Sequence, residues 1–216
     1  EVKKRGFVGV VIGNQGQNFS VGANLLMLLM EARQKHWDNL ELVSRSFQDA
    51  NMAMKYAPFP VVTAPFGMVL GGGLEVTMHG DAVCAAAETY PGLVEVGVGL
   101  IPAGGGCKEY LIRNLEAALA NPHVPSTFPY VRRTFENIAM AKVAMNAQEA
   151  VEFGMLRPTD HITINKDLLL DDAKQMALGM AKAGYTPKAP LTNIKMAGRQ
   201  YFAAFENAVW TMRQGN

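Results

Sequence analysis

Short β-branched and apolar segments alternate with helical patterns over the first half of the chain, and this alternation constrains the fold more than any other feature. Strands are predicted within residues 6–14, 58–67 and 81–88, and helices within residues 24–37, 40–57, 74–80 and 107–119. Strands that alternate with helices are typical of βαβ units, whose crossover connections make neighbouring strands parallel. We therefore predict an α/β fold with a mostly parallel sheet from residue 7 to about residue 120.

Helical patterns dominate the second half. The sequence predicts a proline-rich loop over 121–129, a helix within 147–156, a short strand and long helix over 162–184, and an amphipathic helix over 191–214. Gly154 is well placed to end the helix that precedes it. We therefore divide one fold into a core, residues 1–120, and a helical C-terminal region, residues 121–216.

Composition restricts the class of protein. Of 216 residues, 49% are apolar and 18% are charged, which suits a sizeable core, and the net charge of +1 gives no reason to expect nucleic acid or an anionic membrane as a partner. No apolar run reaches the length of a membrane span. Cys84 and Cys107 lie outside any CxxC motif, so we expect no metal site, two buried free thiols and a cytoplasmic protein.

Three consecutive glycines, Gly71 to Gly73, stand directly before Glu75 and a short helical pattern. The first amides of a helix have no partner within the helix, and without a Cβ atom a ligand oxygen can approach them closely. Glu75 follows Gly72 by about one helical turn, so its carboxylate is expected near the same place. The alternative is a tight strand-to-helix junction in which the glycines only relieve crowding.

Two other glycine-rich sites are excluded by their motifs. A P-loop requires GxxxxGK followed by Ser or Thr, and "AGGGCKE" at 103–109 lacks both the first glycine and the hydroxyl residue. The dinucleotide fingerprint GxGxxG fails at 97–102, because the last position is Pro102. We predict no NAD site in this chain.

A second glycine-bearing loop, 19–25, follows the first predicted strand, and loops at the carboxyl edge of a parallel sheet gather where ligands bind. A further acid, Glu95, lies in the apolar segment "LVEVGVG". Poor solvation there should raise the pKa of its carboxyl group, which suits acid–base chemistry in partnership with Glu75. The alternative for Glu95 is a loop acid that pairs with a lysine or arginine.

Three motifs in this order resemble the enoyl-CoA hydratase/isomerase (crotonase) family: "FSVGANL" at 19–25, "PVVTAPFGMVLGGGLEVTMHGD" at 60–81 and "YPGLVEVGVGLIPAGGG" at 90–106. The resemblance is firm over residues 7–110 and continues more weakly through 144–156. It implies a spiral of ββα turns followed by a helical region.

The resemblance also implies a site. Its oxyanion hole would use the amides of Ala23 and Gly72, and its catalytic acids would be Glu75 and Glu95. Further substrate-binding positions carried over from the motifs are Ser20, Gly22, Leu25, Gly71, Gly73 and Gly104. The implied activity is an enoyl-CoA hydratase, a lyase of fatty-acid β-oxidation that acts on an acyl-CoA thioester without a cofactor. A Δ3,Δ2-enoyl-CoA isomerase and an inactive acyl-CoA-binding or assembly fragment remain alternatives.

Two of the departures of the sequence from the family pattern bear on the prediction. Val94 stands where a proline commonly precedes the second acid, and the strand and helix that normally come before residue 6 are missing. We therefore expect a piece of a longer polypeptide that resembles the hydratase part of a multifunctional 3-hydroxyacyl-CoA dehydrogenase. Its expected partners are further copies of itself, as a trimer-type homo-oligomer, or a covalently linked dehydrogenase domain. His79 is expected to be a structural histidine whose ring nitrogens are both hydrogen-bonded.

Overall fold

The computed structural model describes residues 2–119, 123, 125–192, 194 and 198–214. The helices are α1 (Leu25–Arg33), α2 (Trp37–Lys55), α3 (Gly72–His79), α4 (Gly106–Leu119), α5 (Phe128–Ala139), α6 (Ala147–Glu152), α7 (Leu169–Lys182) and α8 (Arg199–Gln214). The strands are β1 (Val10–Ile12), β2 (Val61–Thr63), β3 (Gly67–Leu70), β4 (Ala82–Ala86), β5 (Thr89–Gly92) and β6 (His161–Thr163). Short 3-10 helices cover Lys3–Arg5, Glu95–Val98 and Lys166–Leu168.

The larger sheet is parallel, as the alternation predicted. Its strands are ordered β1-β2-β4-β6, with Val11 opposite Val62 and Val62 opposite Ala82. The strand β6, from the second half of the chain, completes the sheet beside β4. The predicted C-terminal helical region therefore shares the sheet of the core.

A smaller parallel sheet pairs β3 with β5, and Ser20 forms an isolated parallel bridge to Val69 beside it. Successive turns of chain put one strand in the larger sheet, the next in the smaller sheet, and then a helix. The units β2-β3-α3 and β4-β5-α4 both follow this order. This is the spiral of ββα turns that the resemblance implied.

The larger sheet has a core on each face. Along β4, Val83 and Ala85 pack toward α3, α4 and α6, whereas Cys84 and Ala86 pack toward α7. This alternation follows from the two-residue period of a strand. Because both faces are covered, β2 and β4 are largely apolar along their length.

The sequence analysis missed two strands and was wrong about the burial of one cysteine. The strands β3 and β5 were not predicted, and Cys107, expected to be buried, is exposed while Cys84 is buried. The predicted proline-rich loop over 121–129 lies partly outside the described residues, and α5 already begins at Phe128. Gly154, which follows the C-terminal cap of α6 at Phe153, has a φ of +77° and ends the helix there, as predicted.

The helix α1 lies on the surface with a sequence, LLMLLMEAR, that contains no buried residue. Leu26 is 66% exposed, and Leu29 and Met30 are exposed on the same helix. Exposed apolar surface of this extent is typical of a site that another surface covers. Across the described part of the chain, no helix is both long enough and apolar enough to span a bilayer.

Candidate active site

The three glycines form the junction between β3 and α3. Gly71 has a φ of +53°, a conformation that favours glycine, and its amide donates to the carbonyl oxygen of Gly92 at 2.8 Å. The helix begins at Gly72, two residues before the predicted start. The amides of Gly72 and Gly73 are therefore at the N-terminus of α3, where a helix leaves its donors unpaired.

Crowding explains Gly73 but leaves Gly72 unexplained. A Cβ atom on Gly73 would lie 2.6 Å from the Cβ of Ser20 and 3.1 Å from the Ser20 carbonyl oxygen. A Cβ atom on Gly72 would meet its neighbours at ordinary contact distances, 3.4 Å to the ring of Phe47 and 3.9 Å to Oε2 of Glu75. The purely structural account of the glycines therefore holds at one position and fails at its neighbour.

Alanine substitutions at these two adjacent positions are expected to differ in stability. Gly73→Ala should lower the free energy of unfolding by about 1–3 kcal/mol, because the added methyl group overpacks against the Ser20 backbone. Gly72→Ala should leave it unchanged or raise it by about 0.5–1 kcal/mol, because alanine is the better helix former. Urea denaturation of both variants measures the difference, and equal destabilisation would contradict the structure.

The loop 19–25 runs beside this junction. The Ser20 amide donates to the carbonyl oxygen of Met68 at 3.1 Å, and the Leu70 amide donates to the Ser20 carbonyl oxygen at 2.9 Å. Gly22 has a φ of +93°, and its Cβ position is 3.4 Å from the carbonyl oxygen of Leu70. The loop that contains Ala23 is thereby held against the strand end from which α3 departs.

Two amides in these adjoining segments have no acceptor. Within the described ranges, neither the Ala23 amide nor the Gly72 amide donates a hydrogen bond. Ala23 is exposed and Gly72 is half-buried. Both are thus available to an oxygen atom from outside the chain.

Glu75 lies one turn into α3 and is only 3% exposed. Its Oε1 accepts a hydrogen bond from the Gly106 amide at 2.7 Å, at the first residue of α4. Burial raises the pKa of Glu75 from 4.5 to about 7; Glu95 adds to the rise when it is ionised, and the amides of Gly106 and Gly104 oppose it. A carboxyl group with a pKa near neutrality can both accept and return a proton.

Glu95 begins the 3-10 helix Glu95–Val98 and is half-buried. Its Oε2 is buried and has no hydrogen-bond partner among the described residues, and no lysine or arginine there pairs with it. Burial raises the pKa of its carboxyl group. The alternative of a loop acid in an ion pair is therefore wrong, and the predicted rise in pKa is found.

The two carboxylates converge on the glycine junction. An oxygen of Glu95 lies 3.1 Å from the Cβ position of Gly71, and Oε2 of Glu75 lies 3.9 Å from the Cβ position of Gly72. Cys107 is exposed as a residue but its thiol is partly enclosed, and the pKa of this thiol is raised first by burial and then by the negative charges of Glu75 and Glu95. Two acids with raised pKa values thus lie beside the junction that contains the unpaired Gly72 amide.

The other predicted binding residues divide into two groups. Ser20, Gly22 and Leu25 are at least partly accessible. Gly71, Gly73 and Gly104 are buried, and a Cβ on Gly104 would overlap the ring of Phe47 at 2.2 Å.

Sequence reasoning missed Phe47 and Gly106 as parts of the site. The apolar period of α2 does place position 47 on an inward face, but nothing in that period indicates which loop it meets. Gly106 belongs to the quoted "AGGG" segment, where the repeated glycines were the available signal.

A separate cleft of about 340 Å³ lies between α5 and α8. Its walls include Phe128, Phe135 and Phe205, and it contains none of the predicted site residues. The stacked rings of Phe135 and Phe205, 4.6 Å apart, hold the two helices together. We assign this cleft to helix packing.

Comparison with known proteins gives a consistent result. The family model described as "Enoyl-CoA hydratase/isomerase" matches residues 3–200. A "Probable 3-hydroxyacyl-CoA dehydrogenase" of Bacillus subtilis (strain 168) is 47% identical over 204 residues, which is 94% of this chain and 25% of that protein. A "Putative fatty acid oxidation complex trifunctional enzyme" of Rickettsia felis is 29% identical over 85% of this chain and 24% of its own length. The chain thus spans about a quarter of the length of these relatives.

Solved structures share the fold. An enoyl-CoA hydratase from Polaromonas sp. JS666 superposes with a TM-score of 0.65 at 22% identity, over 81% of this chain and 60% of that one. An enoyl-CoA hydratase from Bacillus anthracis gives a TM-score of 0.61 at 24% identity, over 81% and 59% of the two chains. At these identities the likeness establishes the α/β spiral and its helical region.

Proposed function

The chain belongs to the enoyl-CoA hydratase/isomerase family, and from that premise we propose that it is an enoyl-CoA hydratase of fatty-acid β-oxidation. It adds water across the trans-2 double bond of an acyl-CoA thioester. One observation carries the choice of hydratase over isomerase: two carboxylates, Glu75 and Glu95, meet at the same glycine junction. Hydration needs a proton removed from water and a proton delivered to carbon, which suits two acids.

The proposed mechanism begins with the thioester carbonyl oxygen at the amides of Ala23 and Gly72. Both donors are fixed backbone groups without a competing acceptor in the described chain. They stabilise the negative charge that develops on this oxygen when water attacks the β-carbon. The partial positive charge at the N-terminus of α3 acts in the same direction.

Glu75 acts as the base and Glu95 as the acid in this proposal. The ionised form of Glu75 is supported by the Gly106 amide at 2.7 Å, so it can take the proton of the attacking water. The buried Oε2 of Glu95 has no donor within the described structure, which favours its protonated form and delivery of that proton to the α-carbon. After the addition Glu75 is protonated and Glu95 is ionised. Once the product has left, Glu75 releases its proton to solvent and Glu95 takes one up, which returns the pair to its starting state.

The reaction should depend on pH in a direction set by Glu75. Because the pKa of Glu75 is raised to about 7, mainly by burial, kcat/KM should fall as the pH drops through about 7. A carboxyl group with an ordinary pKa would keep the enzyme active down to about pH 4.5. A profile of kcat/KM from pH 5 to 9 measures this limb, and the apparent value belongs to the interacting pair of acids.

Product analysis tests the proposed function. With a short trans-2-enoyl-CoA, the absorbance of the conjugated enoyl thioester should disappear as the 3-hydroxyacyl-CoA forms. With a 3-enoyl-CoA, an isomerase would instead create that absorbance. Loss of absorbance with the first compound and no gain with the second is the expected outcome, whereas the reverse pattern would replace the hydratase by the isomerase.

We propose an acyl-CoA thioester as the substrate and no cofactor, because hydration transfers no electrons. In the whole protein, a linked dehydrogenase part or further copies of this chain in a trimer-type oligomer would cover the exposed apolar surface of α1. The names of the multifunctional relatives support the first of these. Residues 1–120 would supply the site and 121–216 the helical region, in a cytoplasmic protein.

A further inference from the structure

One face of α2 holds the chain segment that leads into α4. Gln48 Nε2 donates to the carbonyl oxygen of Ala103 at 2.6 Å, and Asn51 Nδ2 donates to the carbonyl oxygen of Gly104 at 2.9 Å. One turn further along, Lys55 Nζ lies 2.7 Å from both carboxylate oxygens of Glu109. Spacings of three and four residues place these donors on one face of the helix.

The segment held in this way contains the amide that contacts Glu75. Gly106 lies between Gly104 and Glu109, and its amide donates to Oε1 of Glu75. Gly105 adopts a φ of +110° and packs against the ring of His79, whose atoms lie 2.8 Å from its Cβ position. The segment is thus enclosed between α2 and α3, and its position decides where the Gly106 amide points.

The ion pair behind this segment is unusual in its burial. Glu109 is fully buried and is 2.7 Å from both Lys55 Nζ and Lys108 Nζ. Burial alone would raise the pKa of Glu109, but hydrogen bonds from Lys108 and Lys55 outweigh it and lower the pKa. Buried ion pairs add little to stability compared with apolar residues, so a role in fixing geometry accounts for this one better.

His79 belongs to the same cluster and corrects the sequence prediction. Its Nδ1 donates to the carbonyl oxygen of Glu75 at 2.6 Å, whereas its Nε2, 3.7 Å from Glu109, has no hydrogen-bond partner in the described chain. Only one ring nitrogen is satisfied. Burial lowers the pKa of His79, which keeps the ring neutral near pH 7.

We propose that Asn51 and Lys55 are positioning residues for Glu75. Through the Gly104 carbonyl and the Glu109 carboxylate they fix the segment whose Gly106 amide keeps Glu75 ionised and oriented. The effect on Glu75 is independent of the reaction, whereas its catalytic consequence rests on the proposed hydratase function.

Few other charged groups act on Glu75 directly. Glu95 faces it from the 3-10 helix and Cys107 from α4, and both stay in place in the variants below. The charges of Lys55 and Lys108 act on Glu109. A change in the titration of Glu75 in these variants therefore reports on the amide.

Carboxyl-carbon NMR measures the titration midpoint of Glu75, with Glu75→Gln to assign the resonance. The nearly isosteric Asn51→Leu removes the donor to Gly104. The double variant Lys55→Met with Glu109→Leu removes the ion pair together with the buried carboxylate, whereas Lys55→Met alone leaves Glu109 buried with Lys108 as its remaining lysine partner. We therefore expect the double variant to disturb the fold less than the single one. Lys55→Arg retains the positive charge, and Arg45→Met, on the exposed part of α2, is the matched control.

We expect the midpoint to rise by about one pH unit in Asn51→Leu and in the double variant, because each backbone amide lowers a carboxylate pKa by about that amount. Lys55→Arg and Arg45→Met should match the parent. The acid limb of kcat/KM should move by the same amount, whereas a merely structural defect would lower activity at every pH without moving the limb. An unchanged midpoint in both altered proteins would overturn the proposal. If the midpoint shifts in the variants but the parent protein hydrates nothing, the positioning role is supported and the hydratase function is rejected.

Discussion

Hydration of a short trans-2-enoyl-CoA is expected to fall by about 100- to 10,000-fold in Glu75→Gln and in Glu95→Gln, the range for loss of a general acid or base. Glutamine preserves the size of each side chain and removes its ability to exchange a proton. Glu75 and Glu95 handle the two proton transfers of a single addition of water, so hydration by the double variant should be little slower than by either single variant. The rate of loss of enoyl absorbance measures all three.

Glu88→Gln is the matched control, since Glu88 is exposed and is not among the groups that surround Gly71 and Gly72.

The free energy of unfolding, measured at two pH values, separates a catalytic effect of Glu75→Gln from an effect on folding. Glu75 ionises near 4.5 when unfolded and near 7 when folded, so its burial costs nothing below pH 4.5 and about 3 kcal/mol above pH 7. Glu75→Gln should therefore be more stable than the parent at pH 8 and similar to it at pH 4. An active Glu75→Gln protein, or an inactive Glu88→Gln protein, would contradict the assignment.

Removal of the Gly72 amide is expected to lower kcat by about 100- to 1,000-fold, the effect of losing one oxyanion donor. Gly72→Pro achieves this at the first position of α3, where a helix tolerates proline because that amide has no partner within the helix. Gly72→Ala adds a Cβ atom and keeps the amide. The ratio of kcat between the two variants compares loss of the amide donor with addition of a Cβ atom alone at the same position.

Thermal denaturation of Gly72→Pro verifies that the junction survives the change. If the folded proline and alanine variants turn over at the same rate, the Gly72 amide does not stabilise the transition state.

The strands β1, β2 and β4 could be predicted from sequence because they are largely apolar, which for β2 and β4 follows from burial on both faces. The strands β3 and β5 could not. The strand β3 is short, begins with Gly67 and runs into the three glycines. The strand β5 contains Pro91, which lies opposite Val69 in the sheet. Glycine and proline are depleted in strands, and here the tertiary pairing overrides that preference.

The candidate site was predictable in part for a similar reason. The spacing of Gly72 and Glu75 along a helix is local, so their proximity could be read from the sequence. The hydrogen bond from Gly106 to Glu75 spans 31 residues, and the bond from Asn51 to Gly104 spans 53. Such contacts depend on how α2, α3 and α4 pack, which a pattern of residue types does not specify. The exposure of Cys107 likewise follows from the position of α4.

Hydration in water enriched in heavy oxygen tests the central proposal most directly. Mass spectrometry of the CoA products from a short trans-2-enoyl-CoA should find a 3-hydroxyacyl-CoA that carries one heavy oxygen atom in the parent, and almost none in Glu75→Gln or Glu95→Gln. Two outcomes with the parent protein would contradict a two-acid hydratase at this glycine junction. One is recovery of the unreacted substrate, and the other is an unlabelled isomer of the same mass in which the double bond has shifted.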